Sequence, residues 1–564
     1  MYVLGLSALE HDSAAALVSD RGIVAAMEES KLTRTPAKGG IPYLAIQFCL
    51  DRAGIQGQDV RTFAVASRPL PAWVRHAALQ SRRFDRHAAG TLTGGLDDLI
   101  AALRNFRPSD ATAQHPAERV LPLEHHLCHA ASAFFASSFD RAVILTLDER
   151  GHSCCGMASL GEGTNIAPLR SIAFPNSIGW LYSQVTALLG FEPHLEEHKT
   201  QWLSLEGEPS LTALFDDVLG HPSRGLPQID LSYLNSDLTG RSAFSAKFYQ
   251  SLGLESPKSF RLTDALARQI AASFQQSCAR LLVRCVEQLC EETGVQNVCL
   301  AGGLFVNVLL VAAIEKAVGL ERVFAQAAAG NAGSALGSAW LAWHQVYGKP
   351  RLPPVASFDW GPSYGTEDIK YVLDNCKARY RWFDTEAQRV EATVQALEQA
   401  EIVAWHQGAT EFGPRALGHR SILASPWAPY IKENLNHYVK HRKPFRPFAL
   451  AVPEEDCSRY FECSGLVRFM ASLGWVRPEA RELVKDFVLP DNQIRLHAVD
   501  RAANPLLWQL LREWGKRAPA PFLINTSFNL FGEPLVVTPR DAVRSFFCSG
   551  IDAMLIDGFF VSKS

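Results

Sequence analysis

What this sequence lacks most is an excess of charge of either sign. Lys and Arg total 55 against 58 Asp and Glu, a formal net charge of −3 over 564 residues. A chain that coats nucleic acid needs a basic surface to displace counterions, so that class is excluded, while a local basic pocket for a small anion is not. The 12 cysteines include no CxxC pair and one vicinal pair, Cys154 and Cys155. That spacing excludes a zinc ribbon and a disulfide framework and fits reduced cytoplasmic thiols. The longest apolar run, VCLAGGLFVNVLLVAAI, stops at 17 residues and contains an Asn and two Gly, so no membrane span is expected. The N-terminus has no basic leader, and Glu10, His11 and Asp12 break its apolar stretch, which excludes a secretory signal. Low-complexity tracts and short-period repeats are absent as well. What is present, 47% hydrophobic and 20% charged residues, describes a soluble chain long enough for two to four domains.

The first elements read as YVLGLS (2–7), a polar turn with His11 and Asp12, AAALVS (14–19), a glycine hairpin and IVAAMEE (23–29). The same strand, polar turn, strand, hairpin pattern returns from 142, with Asp148 and Glu149 in the turn. Two such starts predict an internally duplicated α/β domain, the pattern of the actin-like ATPase and sugar-kinase superfold. Pro, Gly and Ser interrupt helical periodicity at 346–365, which is read as a linker between a domain at 1–345 and a mixed α/β domain at 366–564.

The run EHHLCHAASAFFAS (124–137) reads as a helix that puts His125 and His129 one turn apart on one face. Asp148 follows the apolar strand VILTL, where an α/β sheet presents residues to its ligand crevice. Together they make a set of two histidines and one carboxylate, suited to iron or another divalent metal with open positions. His126 falls on another face and is read as structural. Gly302 and Gly303 follow a buried strand, and Gly330 and Gly333 open a second small-residue helix, so both turns let backbone amides approach a phosphate.

The strongest motif is HQGATEFGPRALGHRSILASP (406–426), where Arg415 and Arg420 alternate with glycines and apolar residues, a pattern suited to fork-like binding of phosphate or carboxylate oxygens. VKHRKPFRPFALAV (439–452) adds Lys440, Arg442, Lys443 and Arg446, and PFLINTSFNLFGEPLVV (521–537) ends a strand in polar groups.

In this order GPRALGHRSIL, VKHRKPFRPFA and NTSFNLFGEP, with HDSAA (11–15), the HxxxH helix, Asp148, LAGGLFVNV and AGNAGSALGSA before them, resemble the carbamoyltransferase family of antibiotic O-carbamoyltransferases and nodulation-factor carbamoyltransferases. The resemblance implies an α/β fold with an N-terminal duplicated actin-like ATPase domain, similar to the enzyme that installs threonylcarbamoyl on tRNA (TsaD-like), and a C-terminal YrdC-like domain. It implies Fe2+ or another divalent metal at His125, His129 and Asp148, with Asn331 standing where the family has a fourth, aspartate ligand. It places carbamoyl phosphate on Arg415, Lys440, Arg446 and Ser527, and the nucleotide near Gly302, Gly303, Asn307, Gly330, Arg420, Arg495 and Asn525. Carbamoyl phosphate and ATP, the latter with Mg2+, would form carbamoyladenylate, and a hydroxyl of a small-molecule acceptor would then take the carbamoyl group. His11 is the expected general base, and Lys38 is expected to neutralise charge on the carbamoyl oxygen. Lys199, in the segment EEHKT, matches a Glu-x-Lys segment of the family and is expected near an anion. Acceptor choice is expected from loops within 60–120 and 205–260. Nucleic acid and membrane are not expected as partners, and a homo-oligomer stays open. A tRNA-modifying carbamoyl or acyl transferase and a non-catalytic regulatory homologue with a weakened metal site stay open as alternatives.

Overall fold

A computed structural model describes residues 1–8, 11–36, 39–67, 120–151, 154–235, 243–255 and 257–563. They fall into two compact units, Met1–Glu29 with Ala37–Pro354, and Ser30–Pro36 with Val355–Ser564. The division lies inside the 346–365 stretch, yet the second unit also takes a short segment from the N-terminal region that no change of composition announces.

The first unit holds two five-stranded sheets. One contains β1 (Tyr2–Ser7), β2 (Ala14–Ser19), β3 (Gly22–Glu28), β4 (Val60–Ala66) and β5 (Val120–Leu123), in the order β3-β2-β1-β4-β5. The other contains β6 (Arg141–Gly151), β7 (Cys154–Glu162), β8 (Asn165–Ala173), β9 (Val298–Ala301) and β10 (Val323–Ala325), in the order β8-β7-β6-β9-β10. In each, the first three strands form an antiparallel meander and the last two run parallel to the first. The repeat expected from the sequence thus extends over five strands in order and sense. One correction is local: Asp148 and Glu149 do not form a turn but continue β6, whose ladder with β7 loses register between Leu147 and Gly151. The bulge re-aims the strand end at the site described below.

Every residue of the Asn331–Leu341 helix is buried. Its small side chains allow this. A Cβ at Gly337 would lie 1.8 Å from the Cys128 carbonyl oxygen, so this helix approaches the His125–Phe134 helix at a distance only glycine permits.

The second unit is built on an eight-stranded sheet of β11 (Tyr380–Trp382), β12 (Val403–His406), β13 (Arg420–Ala424), β14 (Ala449–Pro453), β18 (Leu496–Val499), β19 (Leu523–Ser527), β20 (Ala553–Ile556) and β21 (Phe559–Ser562), in the order β11-β21-β20-β12-β13-β19-β14-β18. The intervening β15 (Phe461–Glu462), β16 (Gly474–Val476) and β17 (Gln493–Ile494) make a separate small sheet. Strand alternation fills both faces: Ile422 and Ile524 enter one core, and Leu423 and Leu523 the other. Among the described residues no helix is long and apolar enough to cross a membrane, and no disulfide joins any of the 12 cysteines.

Candidate active site

Glu124 begins the histidine helix as its N-cap, accepting a hydrogen bond from the Leu127 amide at 2.7 Å. That start fixes the helical phase. His125 and His129 then face the end of β6, with Nε2 atoms 3.3 and 3.1 Å from Asp148 Oδ2 and 3.1 Å from each other. All three side chains are buried, and their ligand atoms lie within 4.8 Å of one another. They are the one cluster of His, Cys, Asp or Glu among the described residues with metal-sharing geometry. Burial opposes ionisation of Asp148, but hydrogen bonds from His125 and His129 outweigh it and hold the carboxyl well below its ordinary range. Two imidazole nitrogens and one carboxylate oxygen this close together are also a donor set that a divalent cation would satisfy. The residues fit a metal.

The turn after β9 packs on the same carboxylate. Gly302 has φ +98°, and a Cβ there would lie 2.1 Å from the Leu147 carbonyl oxygen; at Gly303 it would lie 2.9 Å from Asp148 Oδ1. Glycine is therefore required here to admit β6 and Asp148. At Gly330, which precedes the Asn331–Leu341 helix, a Cβ would meet nothing within 4 Å, so no protein contact demands glycine there. Asn331 donates from Nδ2 to His11 Nε2 at 3.3 Å and to the His11 carbonyl at 3.2 Å, while its buried Oδ1 has no hydrogen-bond partner. An orphaned amide oxygen fits a neutral fourth ligand. His11 is backed by Asp12, with Nδ1 3.0 Å from Oδ2, so the tautomer that donates to Asp12 leaves Nε2 as an acceptor.

Other expectations in this unit meet different outcomes. Asn307 is occupied structurally: its Oδ1 caps the Val308–Val318 helix and its Nδ2 donates to Gln275 and Tyr182. That leaves the amide little for a nucleotide. Lys199 pairs with Glu196. His126 contacts Thr146 Oγ1 at 3.1 Å, and its ring lies edge-on to that of His125 with centroids 5.1 Å apart. Lys38 and residues 68–119 lie outside the described residues.

In the second unit the motif cations converge. Burial and then Arg446 bring Arg415 down to about 10; burial and Arg446 likewise lower Arg442, to about 9. Burial, then Arg415, Arg442 and Arg446, holds Arg495 well below its usual range. Burial, then Arg442 and Arg446, does the same to Lys440. Five mutually repelling cations, Lys440 buried and the four arginines half-buried, suit an anion. Lys440 Nζ donates to Ser527 O at 2.7 Å and Asn529 Oδ1 at 2.6 Å and lies 3.2 Å from Ser527 Oγ, so Lys440 and Ser527 meet as the resemblance implied.

Arg420 is fully buried, and its guanidinium donates to the carbonyls of Gln407 at 2.8 Å, His419 and Gly408 at 3.1 Å and Pro362 at 3.3 Å. Its two terminal nitrogens thus brace the loop itself, while its buried Nε has no hydrogen-bond partner. Glu411 completes the scaffold: its Oε1 accepts from the amides of Leu417, His419 and Arg420 at 2.8 to 3.0 Å. Asn525 donates to Ala416 O at 3.0 Å and lies 3.0 Å from His497 Nδ1, with its buried Oδ1 unpartnered and available to a ligand.

Sequence reasoning assigned no role to Glu411 or Lys31. Lys31 arrives from the Ser30–Pro36 segment and donates to the carbonyls of Glu411 and Gly413, both at 2.7 Å. Its only local signal was a lysine after a strand, shared by many surface residues.

Comparison with known proteins agrees with this pairing of centres. Residues 2–340 match the family model described as Carbamoyltransferase N-terminus, and residues 394–563 match Carbamoyltransferase C-terminus. An uncharacterized protein of Synechocystis sp. is 32% identical, the match covering 100% of this chain and 97% of the relative. Nodulation protein NolNO of Sinorhizobium fredii is 29% identical over 98% of this chain and 79% of its own length. A 3'-hydroxymethylcephem-O-carbamoyltransferase of Amycolatopsis lactamdurans is 30% identical over 42% of each chain. The chain belongs to the carbamoyltransferase family and is a transferase of carbamoyl groups.

Proposed function

We propose that the protein is an ATP-dependent O-carbamoyltransferase that makes carbamoyladenylate in its second unit and passes the carbamoyl group to a hydroxyl of a small molecule in its first. The observation that carries this reading is the cluster of Arg415, Lys440, Arg442, Arg446 and Arg495, cations that lower one another's pKa and whose charge an anionic ligand would balance. Carbamoyl phosphate and ATP, brought with Mg2+, are ligands of that charge. Atom balance requires one water in the first stage, which yields carbamoyladenylate, pyrophosphate and the phosphate of the donor.

In the first unit, His11 is oriented by Asp12 to accept the proton of the attacking hydroxyl at Nε2. His125, His129 and Asp148, with Asn331 as a neutral oxygen, would hold a divalent metal such as Fe2+, which supplies Lewis-acid neutralisation of phosphate charge when bound. The acceptor is read as a small natural product because a hydroxymethylcephem is what one relative is named for.

The test is incubation of the pure protein with ATP, Mg2+ and carbamoyl phosphate, followed by measurement of pyrophosphate and carbamoyladenylate. Both are expected in the wild type, and in His129→Ala pyrophosphate release continues while bound metal and carbamoyl transfer are lost. Absence of both products with Fe2+ supplied overturns the reading.

A further inference from the structure

A second imidazole stands across from His11 in the first unit. His194 and His11 have ring centroids 6.5 Å apart, and each is backed by a carboxylate: His11 Nδ1 by Asp12 at 3.0 Å and His194 Nδ1 by Glu149 Oε2 at 2.7 Å. Both rings are accessible, His11 at 40% and His194 at 47% side-chain exposure. Neither the HDSAA motif nor the strand pattern predicted this pairing.

The chain holds the pair at some conformational cost. Asp12 and His194 both adopt the left-handed backbone region, with φ of 60° and 67°, which non-glycine residues rarely enter without surrounding support. The support is explicit. Glu197 Oε1 accepts from the His194 amide at 2.5 Å and from Ser183 Oγ at 2.8 Å, and Glu196 Oε2 accepts from the Glu192 amide at 3.0 Å. The EEHKT segment therefore presents His194, a role that the sequence reading, centred on Lys199, did not give it. On the other side, Glu149 follows Asp148 in β6, and its amide donates to Asp148 Oδ1 at 2.8 Å. The β6 bulge thus aims Asp148 at the metal cluster and Glu149 at His194. Donation of Nδ1–H to Glu149 raises the His194 imidazole above its ordinary range, against the opposing effect of burial.

Resting on the transfer reading above, we infer that His194 is a second catalytic imidazole: as the imidazolium ion-paired with Glu149, it donates its Nε2–H to the carbamoyl oxygen while the neutral His11 takes the proton of the attacking hydroxyl. In that step the hydroxyl oxygen bonds to the carbamoyl carbon and the bond from that carbon to the phosphate oxygen breaks. AMP leaves with the electron pair, His11 gains the proton and His194 keeps its own.

Chemically prepared carbamoyladenylate, added to the full-length protein with water as acceptor, reads this step through AMP release and bypasses adenylate formation. His194→Ala is expected to slow AMP release about a hundredfold. His194→Gln, which keeps an N–H donor, should recover part of the rate, and added imidazole should raise the rate of His194→Ala. A rate within twofold of wild type in His194→Ala overturns the inference, as does equal loss in both variants without imidazole rescue. Failure of pyrophosphate release from ATP in a separate assay sinks adenylate formation alone, whereas no acceleration of AMP release by the wild type overturns both the transfer step and the role of His194.

Discussion

Gly303 lies against the carboxylate of Asp148 so closely that a Cβ would come within 2.9 Å of Oδ1. Its neighbour Gly302 faces backbone instead, 2.1 Å from the Leu147 carbonyl oxygen, at φ +98°. The two glycines therefore fail differently. Gly303→Ala is expected to fold with a melting temperature close to wild type and to lose bound Fe2+, because only a side chain must give way. Gly302→Ala is expected to lose several kcal/mol, about 1–2 of them from the left-handed backbone alone. Metal content against thermal stability separates the outcomes, and equal metal retention in Gly303→Ala and wild type would contradict the assignment of Asp148.

Arg415 and Arg420 stand five residues apart and are predicted to part company on substitution. Removing Arg415 relieves repulsion among these cations. Arg415→Ala should melt no lower than wild type while pyrophosphate release falls about a hundredfold. Arg420→Ala strips donors from four backbone carbonyls in a buried loop, at a cost of about 3 kcal/mol or more. Denaturant melts and pyrophosphate assays on both variants distinguish a ligand residue from a scaffold residue.

Lys31→Met keeps the apolar stem and removes the ammonium that joins the Glu411 and Gly413 carbonyls. The loop that ends in Arg415 should then be held less firmly. The expected result is a roughly tenfold higher KM for carbamoyl phosphate with kcat little changed, since binding is weakened before chemistry. Lys31→Arg, which retains donors, should fall between. An unchanged KM in Lys31→Met would show that the loop holds its shape without the contact.

Acid sensitivity should begin above the carboxylate range. His497 is buried, and burial lowers it from 6.5 to about 4; burial also lowers His406 and His126. Below pH 6.5 the unfolded chain binds protons that the folded chain refuses, so stability falls from pH 6.5 to about 4 and this contribution then levels off. The full shift at His497 corresponds to about 3 kcal/mol. Urea midpoints between pH 7.5 and 4.5 should decline in wild type, with a shallower slope in His497→Gln; parallel slopes would remove His497 from the account.

The sheets and the first centre were legible because they rest on short-range periodicity. Strand alternation marked the three-strand start of each five-stranded sheet, and helical spacing put His125 and His129 on one face. Asp148 was found through its position after an apolar run, although the bulge that turns it was not, since a register break is set by the partner strand. The second centre was legible as motifs and less so as roles. Arg415 and Arg420 look alike in sequence, and only the carbonyls around Arg420 distinguish them. His194 and Lys31 meet partners distant in sequence, and Glu411 gathers the amides of a local turn; spacing encodes neither.

The Ser30–Pro36 segment also bears on how the chain is made. Arg34 donates to the Leu535 carbonyl at 2.5 Å and to Glu533 at 3.2 Å, contacts separated by 501 and 499 residues, beside the 380-residue separation at Lys31. During synthesis that segment leaves the ribosome early and waits for nearly the whole chain before its partners exist. A single cut at the linker would therefore yield a C-terminal fragment without Lys31 and Arg34, so the second unit is completed only by a chain left whole.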